Sequence, residues 1–234
     1  MSLKTLKSWH LKEKENEMLT RENANAELLL LKAQIHPHFL FNTLNNIYSY
    51  TLNKSPEAFG LVEKLSDTMH YMITDCNTDL VPLEKEIKML EDYLGLEKVR
   101  YGERLEMWVD IKGDNQNKLI APLLMIPFVE NCFKHGTSMM RGKQWMQLNI
   151  QIKNNSLNFN LTNSKPPQPN HNKNKTGIGL LNVKKRLALL YPAKHELTVT
   201  SSDSTYNVHL QLDLKTNPLP SATKPGKILS VNYS

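Results

Sequence analysis

WMQLNIQIKNNSLNFNLTN, residues 145–163, alternates apolar and polar side chains on both sides of Asn154-Asn155. Such alternation puts every second side chain on one face, so the stretch reads as two strands joined at the paired asparagines. Working outward, LEMWVDIKG at 105–113 is a third strand-like segment. Two more, 196–202 and 205–214, flank Asp203-Ser204. Helical patterns lie between them: about Leu83 to Arg100, about Pro122 to Lys134, and GIGLLNVKKRLALLY at 177–191, which opens on two glycines. Hairpin strands with separate helices predict an α+β unit, its strands mostly antiparallel and its helices on one side. KPPQPNHNKNK at 165–175 reads as a loop, and the Pro-, Ser- and Lys-rich tail from Thr216 as disordered.

Upstream the texture is purely helical. Residues 3–35 read as one helix, with Ala24, Leu28, Leu31 and Ile35 forming a short seam. A dimeric helix and a solvated single helix both fit it. Pro37 then kinks or restarts the helix, which resumes from His38 to about Leu52. Its apolar face is expected at Leu40, Leu44, Ile47 and Thr51, and a polar stripe at His38, Asn42, Asn45 and Ser49. Ser55-Pro56 has the form of a cap followed by a first-turn proline. The next helix is expected to turn Phe59, Val62, Leu65, Met69, Met72 or Ile73, and Cys76 inward. The short 53–55 connection makes the two helices an antiparallel hairpin, and two hairpins from two chains would form a four-helix bundle. The expected division is 1–33, signalling helix; 34–79, dimerisation and phosphotransfer hairpin; 80–215, the α+β unit; and 216–234, the tail.

Composition excludes several classes. The longest apolar runs, such as Leu28 to Leu31 and Ala121 to Val129, are far short of the roughly 20 residues of a membrane span. The first residues, MSLKTLKSWHLKEKE, lack a signal-peptide core. Two cysteines far apart, Cys76 and Cys132, make neither a disulfide framework nor a zinc ribbon, which fits a reducing compartment. Net charge is +6, and from Lys165 to Lys194 there are seven Lys or Arg and no Asp or Glu. Such a stretch attracts phosphate.

Two segments carry chemistry. TGIGLLN, ahead of a helix, sets flexible backbone beside free N–H groups, as either an anion site or a packing turn. In PFVENCFKHG, 127–136, Glu130, Asn131, Lys134 and His135 are the polar exceptions among core-like residues. Glu130 and Lys134 fit a surface i,i+4 ion pair; the asparagine oxygen equally fits a hard ligand for Mg²⁺.

The series LKAQIHPHFLFNTLNNI, YLGLEKVRYGERL, PFVENCFKHG and GIGLLNVKKRLALLY resembles the LytS/YehU-type sensor histidine kinases. In these an atypical phosphoacceptor box precedes a GHKL-type ATP-binding domain. The resemblance runs from about Leu31 to Tyr191. It implies an α/β sandwich with a mixed, mostly antiparallel sheet, and ATP with Mg²⁺ as ligands. It implies His38 as the phosphorylated histidine and Asn131 as the holder of Mg²⁺ on the ATP phosphates. Lys134 and His135 match the basic end of that box, Gly177, Gly179 and Leu180 the phosphate-contacting turn, and Asn182 and Arg186 the helix facing the nucleotide. Tyr93, Glu97 and Arg100 belong to a signature of unassigned role. Partners implied are a second copy of the chain and a response regulator, often of the LytTR type. A membrane-embedded sensory part outside this chain would place it on the cytoplasmic side of the bacterial inner membrane. Two positions depart from the family. His36 stands where many relatives have asparagine. Asn163 stands where an aspartate accepts a hydrogen bond from the adenine amino group, and the glycines that follow it are absent.

His36 and His38 lack an apparent third ligand, so a metal pair fits poorly, and a core histidine conflicts with the polar stripe. A neutral imidazole on an exposed helix face suits a nucleophile. With Phe39 next in sequence, Glu130 is the candidate base. Two rivals remain at this stage: a degenerate kinase acting as a scaffold, motivated by Asn163, and a nucleic-acid-binding module, motivated by the basic stretch but without an aromatic platform.

Overall fold

The computed structural model describes Glu13 and residues 37–52, 57–134, 144–165 and 178–216. The expected 3–35 helix, the Ser55-Pro56 start, nearly all of the 165–175 loop, and the tail lie outside the described residues.

Helix α1, Pro37–Leu52, has the proline at its first position, in keeping with the expected restart. A first-turn proline loses no intrahelical bond, because that N–H would have no partner. Helix α2, Glu57–Thr74, packs against it, and a single 3₁₀ turn, Asp75–Asn77, follows. The faces differ from expectation. On α1, Thr43 and Ile47 are buried, while Leu44 and Thr51 are exposed; Asn45 and Ser49 are exposed as read. On α2, Ala58, Leu61, Leu65, Thr68 and Met72 are buried, whereas Phe59, Val62 and Ile73 stand in solvent. Leu65, Met72 and Cys76 point inward as expected. The hairpin carries two apolar stripes, and periodicity alone does not say which one this chain covers.

Strand β1, Val81–Pro82, leads into α3, Leu83–Tyr101. Glu84 and Glu86 lie in the first turn of α3, and Lys98 and Arg100 in its last, each complementing the helix dipole. Helix α3 is buried on two sides, since it lies between the hairpin and the strands that follow. Lys64 of α2 reaches the buried Asp92 of α3 at 3.1 Å, and Lys88 closes on the same carboxylate at 2.5 Å. The expected boundary near residue 80 is therefore a change of texture, not a break in packing: one buried cluster runs from Ile47 through Leu65 and Leu90 to the sheet.

Strands β2 (Leu105–Gly113), β3 (Lys118–Ile120), β4 (Gln144–Lys153) and β5 (Ser156–Ser164) follow, with helix α4, Ile126–Cys132, before β4. Helix α5, Ile178–Leu190, precedes β6 (His195–Ser201), β7 (Thr205–Asp213) and the short β8 (Lys215–Thr216). The main sheet has the order β2-β4-β5-β7-β6, and β1, β3 and β8 form a small second sheet that the sequence reading missed. Only β2 and β4 run parallel; the other neighbours in the main sheet are antiparallel, so the expected mixed, mostly antiparallel sheet is present. The β4–β5 hairpin closes at Lys153↔Ser156, with Asn154 at φ 54, a left-handed turn that asparagine tolerates. Met146, Leu148, Ile150, Leu157, Phe159, Leu161, Val208, Leu210 and Leu212 bury one sheet face. Gly113, at φ 109, lies so close to β4 that a Cβ there would sit 1.9 Å from the Ile152 carbonyl oxygen.

Helix α4 starts at Ile126, not near Pro122 as expected. Leu123 has φ 55, and a left-handed residue cannot lie inside a right-handed helix. Pro122 to Met125 therefore form a turn ahead of the helix.

Candidate functional site

Two helices face each other at the site. On α4, Phe128, Val129 and Cys132 point into the core, and Phe133 beyond it stacks on Tyr101 at 5.7 Å between ring centroids. This leaves Glu130 and Asn131 half-buried on the open side and Lys134 exposed. On α5, Leu180, Val183, Leu187 and the following Tyr191 form the buried stripe, with Asn182 half-buried and Lys184 and Lys185 exposed. His135 and Gly177 lie outside the described residues, and of His38 the structure gives the backbone only, in the first turn of α1.

The fold brings Asn131 and Gly179 together. A Cβ at Gly179 would meet the Asn131 amide, at 3.7 Å from Nδ2 and 3.8 Å from Oδ1. Gly179 is helical, and at such a position alanine would be preferred by up to about 1 kcal/mol. Neither backbone conformation nor free-state crowding requires the glycine. A bare Cα beside an amide oxygen does suit close approach of an anion to the helix N–H groups. Gly179→Ala is accordingly expected to leave thermal stability unchanged or slightly higher while weakening ATP binding about tenfold or more. Calorimetric titration with ATP and Mg²⁺, paired with a melting curve, checks both halves.

Asn163 supplies a third element. It is buried, and its Nδ2 donates to the Ser164 carbonyl at 2.8 Å, while its Oδ1 has no partner. A buried acceptor without a donor costs about 1–3 kcal/mol, so this oxygen fits a group that brings an N–H to it. The adenine amino group is such a donor. Asn163 lies on β5, whose Phe159 packs on Phe128 of α4 at 5.7 Å.

Arg186 is a correction. The resemblance put it facing the nucleotide, but its side chain is buried, donating to the carbonyls of Pro122 (2.6 Å) and Leu123 (3.2 Å). It holds the turn ahead of α4 in place of a phosphate.

Behind α4 lies the signature that had no assigned role. Glu97 is buried on α3, with Arg100 Nη1 at 3.4 Å from both its oxygens and with Tyr93 hydrogen-bonded to it. Burial pushes its carboxyl up to about 7, the nearby Glu130 charge adds to this, and Arg100 opposes it. The folded chain therefore keeps a proton at Glu97 that the unfolded chain releases near the usual 4.5. The stability this group contributes is full below the usual value and lost as pH rises through about 7. Glu97→Gln is expected to flatten the pH dependence of stability in that window and to raise stability at pH 8 by at most about 3 kcal/mol. Denaturant melts across pH decide it; a slope equal to wild type contradicts it.

Among the described residues no group of three or more His, Cys, Asp or Glu side chains is placed to hold a metal, and no helix is long and apolar enough to cross a membrane. An asparagine facing a helical glycine, with a buried amide acceptor on the adjoining sheet, is an arrangement suited to a phosphate-bearing ligand. Residues 26–105 match the family model for histidine kinases. The sensor protein LytS of Oceanobacillus iheyensis is 29% identical over 203 residues, 81% of this chain and 34% of that protein. The Escherichia coli sensor histidine kinases YpdA and BtsS are 33% and 30% identical, over 73% and 83% of this chain. This chain is thus similar to the sensor histidine kinases of the LytS type over most of its own length. It spans about a third of the length of these relatives, 32–34%. The histidine kinase domain of Erythrobacter litoralis EL346 aligns with 82% of this chain and 95% of its own, at 16% identity and a TM-score of 0.44, too distant a likeness to bear on function.

Proposed function

We propose that this chain is the kinase core of a two-component sensor, which phosphorylates its own His38 from ATP and passes the group to an aspartate of a response regulator. The carrying observation is the meeting of Asn131 with Gly179, two residues far apart in sequence. In this reading Asn163 accepts a hydrogen bond from the adenine amino group, and Gly179, Leu180, Asn182 and the first N–H groups of α5 take the phosphates, with Gly177, outside the described residues, assigned to the same turn. Asn131 would hold Mg²⁺, and the metal would supply charge neutralisation for the nucleotide phosphates. Lys134 adds positive charge beside them, and His135, outside the described residues, is assigned to the same basic end.

The imidazole of His38 attacks the γ-phosphorus. A nitrogen–phosphorus bond forms, the bond to the bridging oxygen breaks, and ADP leaves. The other ring nitrogen gives up its proton, and Glu130 is the proposed acceptor. Positioning and charge neutralisation supply most of the rate, because the protein does little covalent work here.

A homodimer is part of the same proposal. Leu44, Tyr48, Phe59, Val62 and Ile73 leave an exposed apolar surface on the hairpin, the kind a four-helix bundle of two chains covers. ATP supply places the kinase in the cytoplasm, with membrane contact through a sensory part and with a LytTR-type protein as a natural regulator.

The direct test incubates the chain with γ-radiolabelled ATP and Mg²⁺. Label that is lost in acid and kept in base supports the reading. Nucleotide binding without any label would leave a scaffold and sink the kinase.

A further inference from the structure

A network of buried polar side chains lies outside the proposed nucleotide site. Glu86 of α3 is fully buried. Its Oε2 accepts from the Tyr71 hydroxyl of α2 and from the Leu123 N–H at 2.9 Å, and its Oε1 from the Leu124 N–H at 3.0 Å. Arg186 grips the same turn from the other side, through the Pro122 and Leu123 carbonyls. Tyr191, just past α5, accepts from the Ala121 N–H at 2.7 Å. Carboxylate on the donors and guanidinium on the acceptors fix a turn whose Leu123 is left-handed, a conformation costing about 1 kcal/mol or more without such support.

The location gives this cluster its meaning. Two residues past the turn, Ile126 begins α4, which carries Asn131. Arg186 and Tyr191 belong to α5 and its end, and α5 begins beside Gly179. Tyr71 belongs to α2, the helix paired with the His38 helix. One buried knot thus joins both phosphate-side helices to the phosphoacceptor hairpin.

We propose that Tyr71, Glu86 and Arg186 are positioning residues for phosphoryl transfer, tying the register of the Asn131 helix to the hairpin that presents His38. Glu86 and Arg186 set the turn, so they govern nucleotide binding. Tyr71 reaches the turn only through Glu86, so it governs where the filled site stands relative to His38. Histidine and nucleotide must approach to within bonding distance, and an ångström of misplacement costs orders of magnitude in rate. The proposal rests on the kinase reading above.

The test compares wild type, Tyr71→Phe and Arg186→Lys in the full chain. Tyr71→Phe removes one hydroxyl from a buried ring and leaves Glu86 its backbone donors. Autophosphorylation at saturating ATP should fall about tenfold, with affinity for a non-hydrolysable ATP analogue within about twofold of wild type. Arg186→Lys, which cannot span two carbonyls, should instead weaken the analogue about tenfold. Amide exchange at Leu123 and Leu124, with and without analogue, gives a readout independent of turnover: the analogue should slow exchange in wild type and do so less in Tyr71→Phe. Should wild type fail to label, the kinase reading falls, and the exchange comparison still decides the linkage. Wild-type rate together with wild-type exchange in Tyr71→Phe overturns the proposal.

Discussion

His38→Gln is expected to abolish phosphorylation of the chain, a loss of at least about a thousandfold, while ATP binding stays at its wild-type value. Glutamine approximates the reach of imidazole and keeps a polar group at position 38. It offers no basic nitrogen lone pair, so no bond to phosphorus can form. Binding should be untouched because the proposed nucleotide contacts lie on α4, α5 and β5, elements separated from α1 in the chain. His36→Gln, just before the proline that opens α1, serves as the matched control and should label normally. If His36→Gln loses the label and His38→Gln keeps it, the acceptor is His36, two residues away.

Asn131→Ala should bring the second-largest loss, about a hundredfold or more in phosphorylation rate, and it should act through the metal. Asn131 is half-buried and its amide faces Gly179, so its removal opens no core cavity and the melting temperature should stay within a few degrees. The distinguishing measurement is nucleotide affinity with Mg²⁺ and with a chelator present. Wild type should bind more tightly with the metal than without it. In Asn131→Ala the two values should converge. A variant that keeps the full Mg²⁺ effect would remove Asn131 from the metal site and leave its contact with Gly179 a packing contact.

The parts of the fold that were legible are those where one physical rule acts alone. The β4–β5 hairpin could be read residue by residue, because period-two alternation is interrupted only at Asn154-Asn155, and β2 was read at its observed bounds, 105–113. The start of α4 was misread because PLLMIPF has helical apolarity, while the left-handed Leu123 is held by Glu86 and Arg186 from distant elements. No local pattern reports such a constraint. The hairpin faces were misjudged for a different reason: α2 is apolar on two sides, and one chain covers only one of them.

Within the candidate site, residue types and spacing left Asn131 and Gly179 ambiguous, and the resemblance to known kinases was needed to connect them. Arg186 shows the limit of that transfer, since its charge is spent on backbone carbonyls. A signal for the Glu86 knot was present. A carboxylate flanked by Leu83, Ile87 and Leu90 on the apolar side of α3 must find donors, and an arginine between Val183 and Leu187 must find acceptors. Matching them as partners required the fold.

The central claim is that one imidazole receives the phosphoryl group from a nucleotide held at Asn131 and Gly179. Mass-spectrometric mapping of the ATP- and Mg²⁺-treated chain, under neutral conditions that preserve phosphoramidates, tests it most directly. A single phosphate on His38 is predicted. Phosphate on another residue, or an unmodified chain with nucleotide bound, would contradict it.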